Sequence, residues 1–219
     1  MDKNMKRADF PRRLIVTGTD TGIGKTVVAA VLTAGLNGVY WKPIQSGSDG
    51  PTDREWVRDH TGLGRDHFPP EAYLLRAPVS PHLAAALEGR TIDLAAVVMP
   101  ASLPDASPLI IEGAGGVMAP INDRQFMIDL FRHLQAPVLV VAPSRVGMIN
   151  HTLLTLDQLR RYDIPILGVV MNGPTNDDNR RAVEHFGRTR VLAGIEPLDD
   201  ITPAALGRAF RDGFACHDR

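Results

Sequence analysis

The sequence predicts an α/β fold: a single domain with a mostly parallel sheet flanked by helices. Three observations predict it: short apolar runs rich in β-branched residues, stretches of helical spacing between them, and a glycine-bearing loop joining the first run to the first helical stretch. Strands buried on both faces of a parallel sheet read as unbroken apolar runs, as residues 14–17, 39–42, 109–112, 138–142 and 166–171 do. Helical spacing marks 26–36, 124–134, 151–162 and 177–186, with Asp123 and Asn176 as N-cap candidates. Strand and helix in alternation imply βαβ crossovers, hence parallel pairing. Residues 43–108 are less regular and rich in Pro and Gly, with modest helices at 54–60 and 82–87. Such a stretch is expected to loop over the carboxyl edge of the sheet, where ligands of open α/β sheets bind. Its last residues, 99–108, read as a connection into the strand at 109.

The chain has 219 residues, 44% hydrophobic and 22% charged, enough to bury one core, so residues 11–219 are read as one domain and 1–10 as a loose tail. A formal net charge of -1 provides no broad basic field, which argues against nucleic acid and anionic lipid as partners and leaves phosphate affinity to a local site. Cys216 is the single cysteine, so no intramolecular disulfide and no Cys-based metal cluster is expected, in keeping with a cytoplasmic setting. Residues 1–13 have no apolar h-region, and no run approaches the ~18 apolar residues of a membrane span.

Leu14 through Thr26 runs strand, loop, helix and ends in Gly24-Lys25-Thr26. In that context the backbone N–H groups of Thr21, Gly22, Ile23 and Gly24 are candidates to cradle phosphate oxygens. Lys25 would reach the β and γ phosphates, and the Thr26 hydroxyl would ligate Mg²⁺. The expected fold is therefore P-loop NTPase-like. The strict motif places its first glycine where Thr19 stands, with Gly18 one position earlier, so the strand–loop–helix context carries the assignment. A P-loop specifies nucleotide binding and no more; other residues must select the chemistry.

Four further features bear on that selection. Val39-Tyr-Trp-Lys42 ends a strand in a cation followed by Pro43-Ile-Gln-Ser46, placing an ammonium and a hydroxyl at the sheet edge beside the loop. Lys42 there is either a solvated strand end or a second phosphate clamp. Glu112 closes an apolar strand ahead of the glycine-rich Gly113-Ala-Gly115-Gly116, either as a metal-coordinating acid or as a cap on the turn. Asp53 is a second candidate Mg²⁺ oxygen donor or a helix cap, since Mg²⁺ is usually held by one or two carboxylates with phosphates and water. Gly147-Met148-Ile-Asn150 leads into a helix whose N-terminal amides suit a substrate carboxylate, although Asn150 or Thr152 could simply be an N-cap.

Gly18-Thr-Asp-Thr-Gly-Ile-Gly-Lys-Thr26, Lys42-Pro-Ile-Gln-Ser-Gly47, Ser80-Pro-His82, Glu112-Gly-Ala-Gly-Gly116 and Gly147-Met-Ile-Asn-His-Thr152, in this order and spacing, resemble the dethiobiotin synthetase family across residues 14–172. The resemblance implies an ATP-dependent cyclo-ligase that takes 7,8-diaminononanoate, CO₂ and MgATP and gives dethiobiotin, ADP and phosphate. The route runs through a carbamate and a carbamic-phosphoric anhydride. It implies Lys25, Lys42 and Ser46 as catalytic residues and Thr26, Asp53 and Glu112 as holders of Mg²⁺. Nucleotide contacts are implied for residues 21–26, Asn172, Glu112, Gly113, Gly115 and Gly116. Lys42, Ser46, Gly116, Gly147, Met148 and Asn150 would meet the substrate, the last three across a homodimer interface. The chain departs from some members in carrying Gly22 for a glutamate and in lacking a Pro-Trp-Leu within residues 193–198.

The main alternative is a partitioning-type P-loop switch ATPase. Those proteins carry a lysine four residues before the Gly-Lys-Thr glycine, where this chain has Asp20. Met171-Asn-Gly-Pro174 is not a GTPase base-reading motif, and Cys216 lacks the context of a glutaminase nucleophile. The histidines show no metal-ligand spacing.

Overall fold

A computed structural model describes residues 9–101, 103–104 and 107–214. In chain order its elements are β1 (Arg13–Gly18), α1 (Lys25–Leu36), β2 (Val39–Trp41), β3 (Ile44–Ser46), α2 (Asp53–Thr61), β4 (Tyr73–Leu75), α3 (Pro81–Leu87), β5 (Leu109–Gly116), α4 (Met127–Leu134), β6 (Val138–Pro143), α5 (Met148–Arg161), β7 (Ile166–Asn172), α6 (Asp177–Gly187), β8 (Val191–Ile195) and α7 (Pro203–Phe214). Six strands form a parallel sheet in the order β2-β5-β1-β6-β7-β8, and β3 and β4 pair in parallel beside it. Ile15 of β1 lies opposite Ile111 of β5 on one side and Val138 of β6 on the other, which puts β1 and the loop after it at the middle of the sheet.

Alternate residues along each strand feed two apolar layers, as the two-residue strand period demands. Leu14, Val16, Ile110, Leu139 and Val141 pack with α1, α2 and α7, whereas Ile15, Leu109, Ile111, Val138 and Val140 pack with α3, α4, α5 and α6. Each fully buried Val, Leu or Ile contributes roughly 1.5–3 kcal/mol. Sandwiching the sheet between two layers explains why its strands read as unbroken apolar runs.

All five strands and all six helices expected from the sequence are present, with shifted limits. The glycine-rich segment after Glu112 is no turn: β5 continues to Gly116, which pairs with Gly18. Glycine makes this possible at Gly113, where an added Cβ would meet the Phe131 ring at 2.8 Å. Helix α4 begins three residues later than expected, because Pro120 and Phe126 form an antiparallel bridge across residues 121–125. Asp123 therefore caps nothing; Asp129 instead accepts the Phe126 N–H at 2.8 Å. Helix α5 begins a turn earlier than expected, after Gly147 at φ 88°, and Thr152 lies inside it, donating to Met148 O. Neither Asn150 nor Thr152 is its N-cap. Asn176 does cap α6 by accepting the Asn179 N–H, and Asp53 starts α2 behind the true cap, Thr52, which exchanges hydrogen bonds with Glu55.

The strand pair β3–β4, the edge strand β8 and helix α7 are additions to the expected elements. Residues 1–8 and Cys216 lie outside the described residues. At the end of the expected tail, Phe10 is buried against Phe210 and Phe214 of α7.

Candidate active site

The loop between β1 and α1 wraps over the carboxyl edge of the sheet. It is tied to β6 by the Thr19 N–H, which donates to Val141 O, and enters α1 through Gly24 at φ 88°. Beside it opens a cavity of about 780 Å³. Thr19, Asp20 and Thr21 from the loop, Lys42, Ser46 and Asp53 from the β2–α2 segment, and residues 114–119 after the middle of β5 line it, and α5 closes it with His151, Thr155 and Gln158.

At the loop end of this cavity four charged side chains meet. Glu112 is 1% exposed and sits at the centre. Its Oε1 accepts from the Thr26 hydroxyl at 3.0 Å and from Lys42 Nζ at 3.1 Å, and its Oε2 accepts from the Tyr40 hydroxyl at 2.9 Å. Lys42 also forms an ion pair with Asp53, whose backbone N–H donates to Gln45 Oε1. Lys25 Nζ turns back to donate to Asp20 O at 2.8 Å. Burial pushes the Lys25 pKa down, and Lys42 adds to that push, while Glu112, Asp53 and Asp20 offset only part of it. For Lys42 burial also opposes the charge, yet Glu112 and Asp53 outweigh it and the pKa is raised. One buried ammonium is thus held by two carboxylates, and the other has its burial only partly offset, which suits it to an incoming anion. A triphosphate answers that need.

The Thr26 hydroxyl and the carboxylates of Asp53 and Glu112 supply hard oxygen donors on one side of the loop, which fits Mg²⁺. Among the described residues no group of three or more His, Cys, Asp and Glu side chains could hold an ion without other ligands, so phosphate oxygens would have to complete the shell. The residues present fit a metal that arrives with its nucleotide.

Other expected site residues are more scattered. Ser46 lines the cavity, and its hydroxyl, like that of Thr19, finds no partner among the described residues. Gly115 and Gly116 line the cavity as well, whereas Gly113 is packed against Phe131 and Ile23 turns its side chain into the core. Asn172, at the end of β7, donates through Nδ2 to Ile23 O at 2.9 Å and so clasps the phosphate loop. Gly147, Met148 and Asn150 do not line their own chain's cavity. Gly147 and Asn150 are exposed; Met148 is buried and its N–H donates to Arg145 O. Sequence reasoning missed Tyr40, Gln45, His151, Thr155 and Gln158. Only Tyr40 carried a signal, a phenol in an apolar strand that needs a partner once buried.

Nucleotide loop, buried acid and paired lysines define a P-loop nucleotide-dependent protein, and residues 12–205 match a family model described as an AAA domain. Against the ATP-dependent dethiobiotin synthetase BioD of Paramagnetospirillum magneticum the chain is 50% identical over 205 residues, covering 94% of this chain and 98% of that one. The BioD of Rhodopseudomonas palustris strain TIE-1 is 45% identical, with coverage of 94% and 96%. The chain belongs to the dethiobiotin synthetase family. The cell division ATPase MinD of Pyrococcus furiosus superposes with a TM-score of 0.51 at 16% identity, covering 92% of this chain and 96% of that one, which bears on the fold alone.

Proposed function

We propose that this protein is an ATP-dependent ligase that closes the cyclic urea of dethiobiotin from 7,8-diaminononanoate and CO₂, releasing ADP and phosphate. The observation that carries this reading is the meeting of Lys25, Thr26, Lys42, Asp53 and Glu112 at the phosphate loop, with the unpartnered Ser46 hydroxyl in the same cavity.

The chemistry brings anion to anion. One amine of the diamine adds to CO₂ and loses a proton, giving a carbamate. A carbamate oxygen then attacks the γ phosphorus as ADP leaves, and the second amine attacks the resulting anhydride carbonyl, expelling phosphate and closing the ring. Lys25 would lie on the β and γ phosphates and Lys42 between the γ phosphate and the carbamate, lowering the repulsion as they approach. Ser46 would donate to the carbamate, orienting its oxygen. Thr26, Asp53 and Glu112 would hold Mg²⁺, which neutralises phosphate charge when bound.

Residues 147–150 would receive the substrate's carboxylate in the cavity of a second copy. The exposure of Gly147 and Asn150, off their own cavity, and the full exposure of Val146 support a homodimer. No helix among the described residues is long and apolar enough to cross a membrane, and a cytoplasmic setting fits the substrates.

The test is phosphate release from MgATP and bicarbonate with and without the diamine. Release that requires the diamine supports the ligase, and hydrolysis indifferent to it points to a switch ATPase.

A further inference from the structure

Tyr40 has no part in the chemistry above, yet its hydroxyl reaches the centre of the site. The ring is fully buried in the layer that β1 shares with α1, and its oxygen stands 2.9 Å from Glu112 Oε2. The two other donors, Thr26 and Lys42, both address Oε1. Rotation about the terminal torsion of a glutamate is soft, so the side chain itself does little to fix the plane of its carboxylate. With both other donors on one oxygen, the Tyr40 phenol is the hydrogen bond that fixes the other. A tyrosine phenol opposite a carboxylate oxygen is the donor of the pair.

We propose that Tyr40 is a positioning residue for metal use: by holding Oε2 of Glu112 it presents Oε1 to Thr26 and to the incoming metal–nucleotide complex. The inference rests on the reading of Glu112 as a metal-holding acid. It assigns a role to a residue 72 positions away in the chain, on a different strand. A hydrogen bond to a charged group in a buried site is strong enough for its loss to be measurable.

Tyr40→Phe keeps the ring and removes only the oxygen, so the packing of β2 is retained and thermal unfolding verifies it. The measurement is Mn²⁺ binding in the presence of ADP, followed by the magnetic resonance signal of free Mn²⁺, alongside ADP affinity in a chelator. Tyr40→Phe is expected to weaken Mn²⁺ binding about tenfold while metal-free ADP affinity stays unchanged. Glu112→Gln, measured in parallel, separates the two layers of the argument. Loss in Glu112→Gln with wild-type binding in Tyr40→Phe overturns the role of Tyr40 and leaves the metal reading intact. Wild-type Mn²⁺ binding in both variants overturns both. Equal loss of ADP affinity with and without metal in Tyr40→Phe shows a merely structural residue and also overturns the inference.

Discussion

Replacing Lys42 by Met keeps most of the side-chain stem and removes the charge that joins Glu112 to Asp53. At 3.1 Å and an effective dielectric constant of about 20, the Lys42–Glu112 attraction is about 5 kcal/mol before desolvation is subtracted. Removing one partner of a buried pair costs about 3–5 kcal/mol, because the surviving charge stays buried without its counter-ion. Here the lower end applies, since the Thr26 and Tyr40 hydroxyls still serve Glu112, and Asp53 is 32% exposed and can turn to water. About 3 kcal/mol corresponds to a melting temperature lowered by roughly 6–12 °C in a chain of this length. Turnover should fall further than stability does. In the proposed reaction Lys42 bridges the two anions as they react while Lys25 serves the phosphates, and the loss of one such group lowers kcat by about 10²–10³-fold. ADP affinity should change little, because Lys25 and the loop amides remain. Calorimetric unfolding, steady-state kinetics below the melting temperature and ADP titration read the three effects separately. A variant that keeps kcat within tenfold of wild type would remove Lys42 from the chemistry, whatever its stability.

The phosphate loop and the alkaline range give further expectations. At Gly24, with φ +88°, an added Cβ would fall 2.1 Å from Asn172 Nδ2, so Gly24→Ala should weaken nucleotide binding severely, and Asn172→Ala in the same chain should restore part of it; strictly additive effects would show that the two residues are not in contact. Gly113→Ala should lower stability by about 1–3 kcal/mol by crowding Phe131, which denaturant unfolding measures, and an unchanged midpoint would contradict the packing. Tyr40 and Lys42 hold their protons to higher pH when folded than their ordinary values of 10.0 and 10.5, so above about pH 10 the unfolded chain binds fewer protons and stability falls as pH rises. Lys25, whose pKa is lowered by folding, works the other way and softens the fall. Urea midpoints from about pH 8 to about pH 11 should therefore decline, less steeply in Tyr40→Phe; identical slopes would contradict the burial of that phenol.

Parts of the fold were legible for a physical reason. The strands β1, β2, β5, β6 and β7 are covered on both faces, so each leaves an unbroken apolar run in the sequence. The pair β3–β4 has three residues in each strand, too short for any period to show. The edge strand β8 is broken by an exposed Gly194, and α7 carries Gly207 and Gly213 inside its helical pattern. In the site, Lys25 and Thr26 were legible because they open α1 directly behind Gly24, and Glu112 because an acid interrupts an apolar strand just ahead of glycines. The Tyr40–Glu112 contact was not, because aromatic residues suit any strand and the partner lies in another one. The segment 147–150 was read as the approach to a helix, whereas α5 has already begun there, since Gly147 alone supplies the left-handed turn that starts it.

The most direct test of the account is stoichiometry: purified protein with MgATP, ¹³C-bicarbonate and 7,8-diaminononanoate, following phosphate and the mass of the product together. One phosphate should be released for each dethiobiotin formed, with the label in the ureido carbon. Phosphate released without labelled dethiobiotin would contradict it.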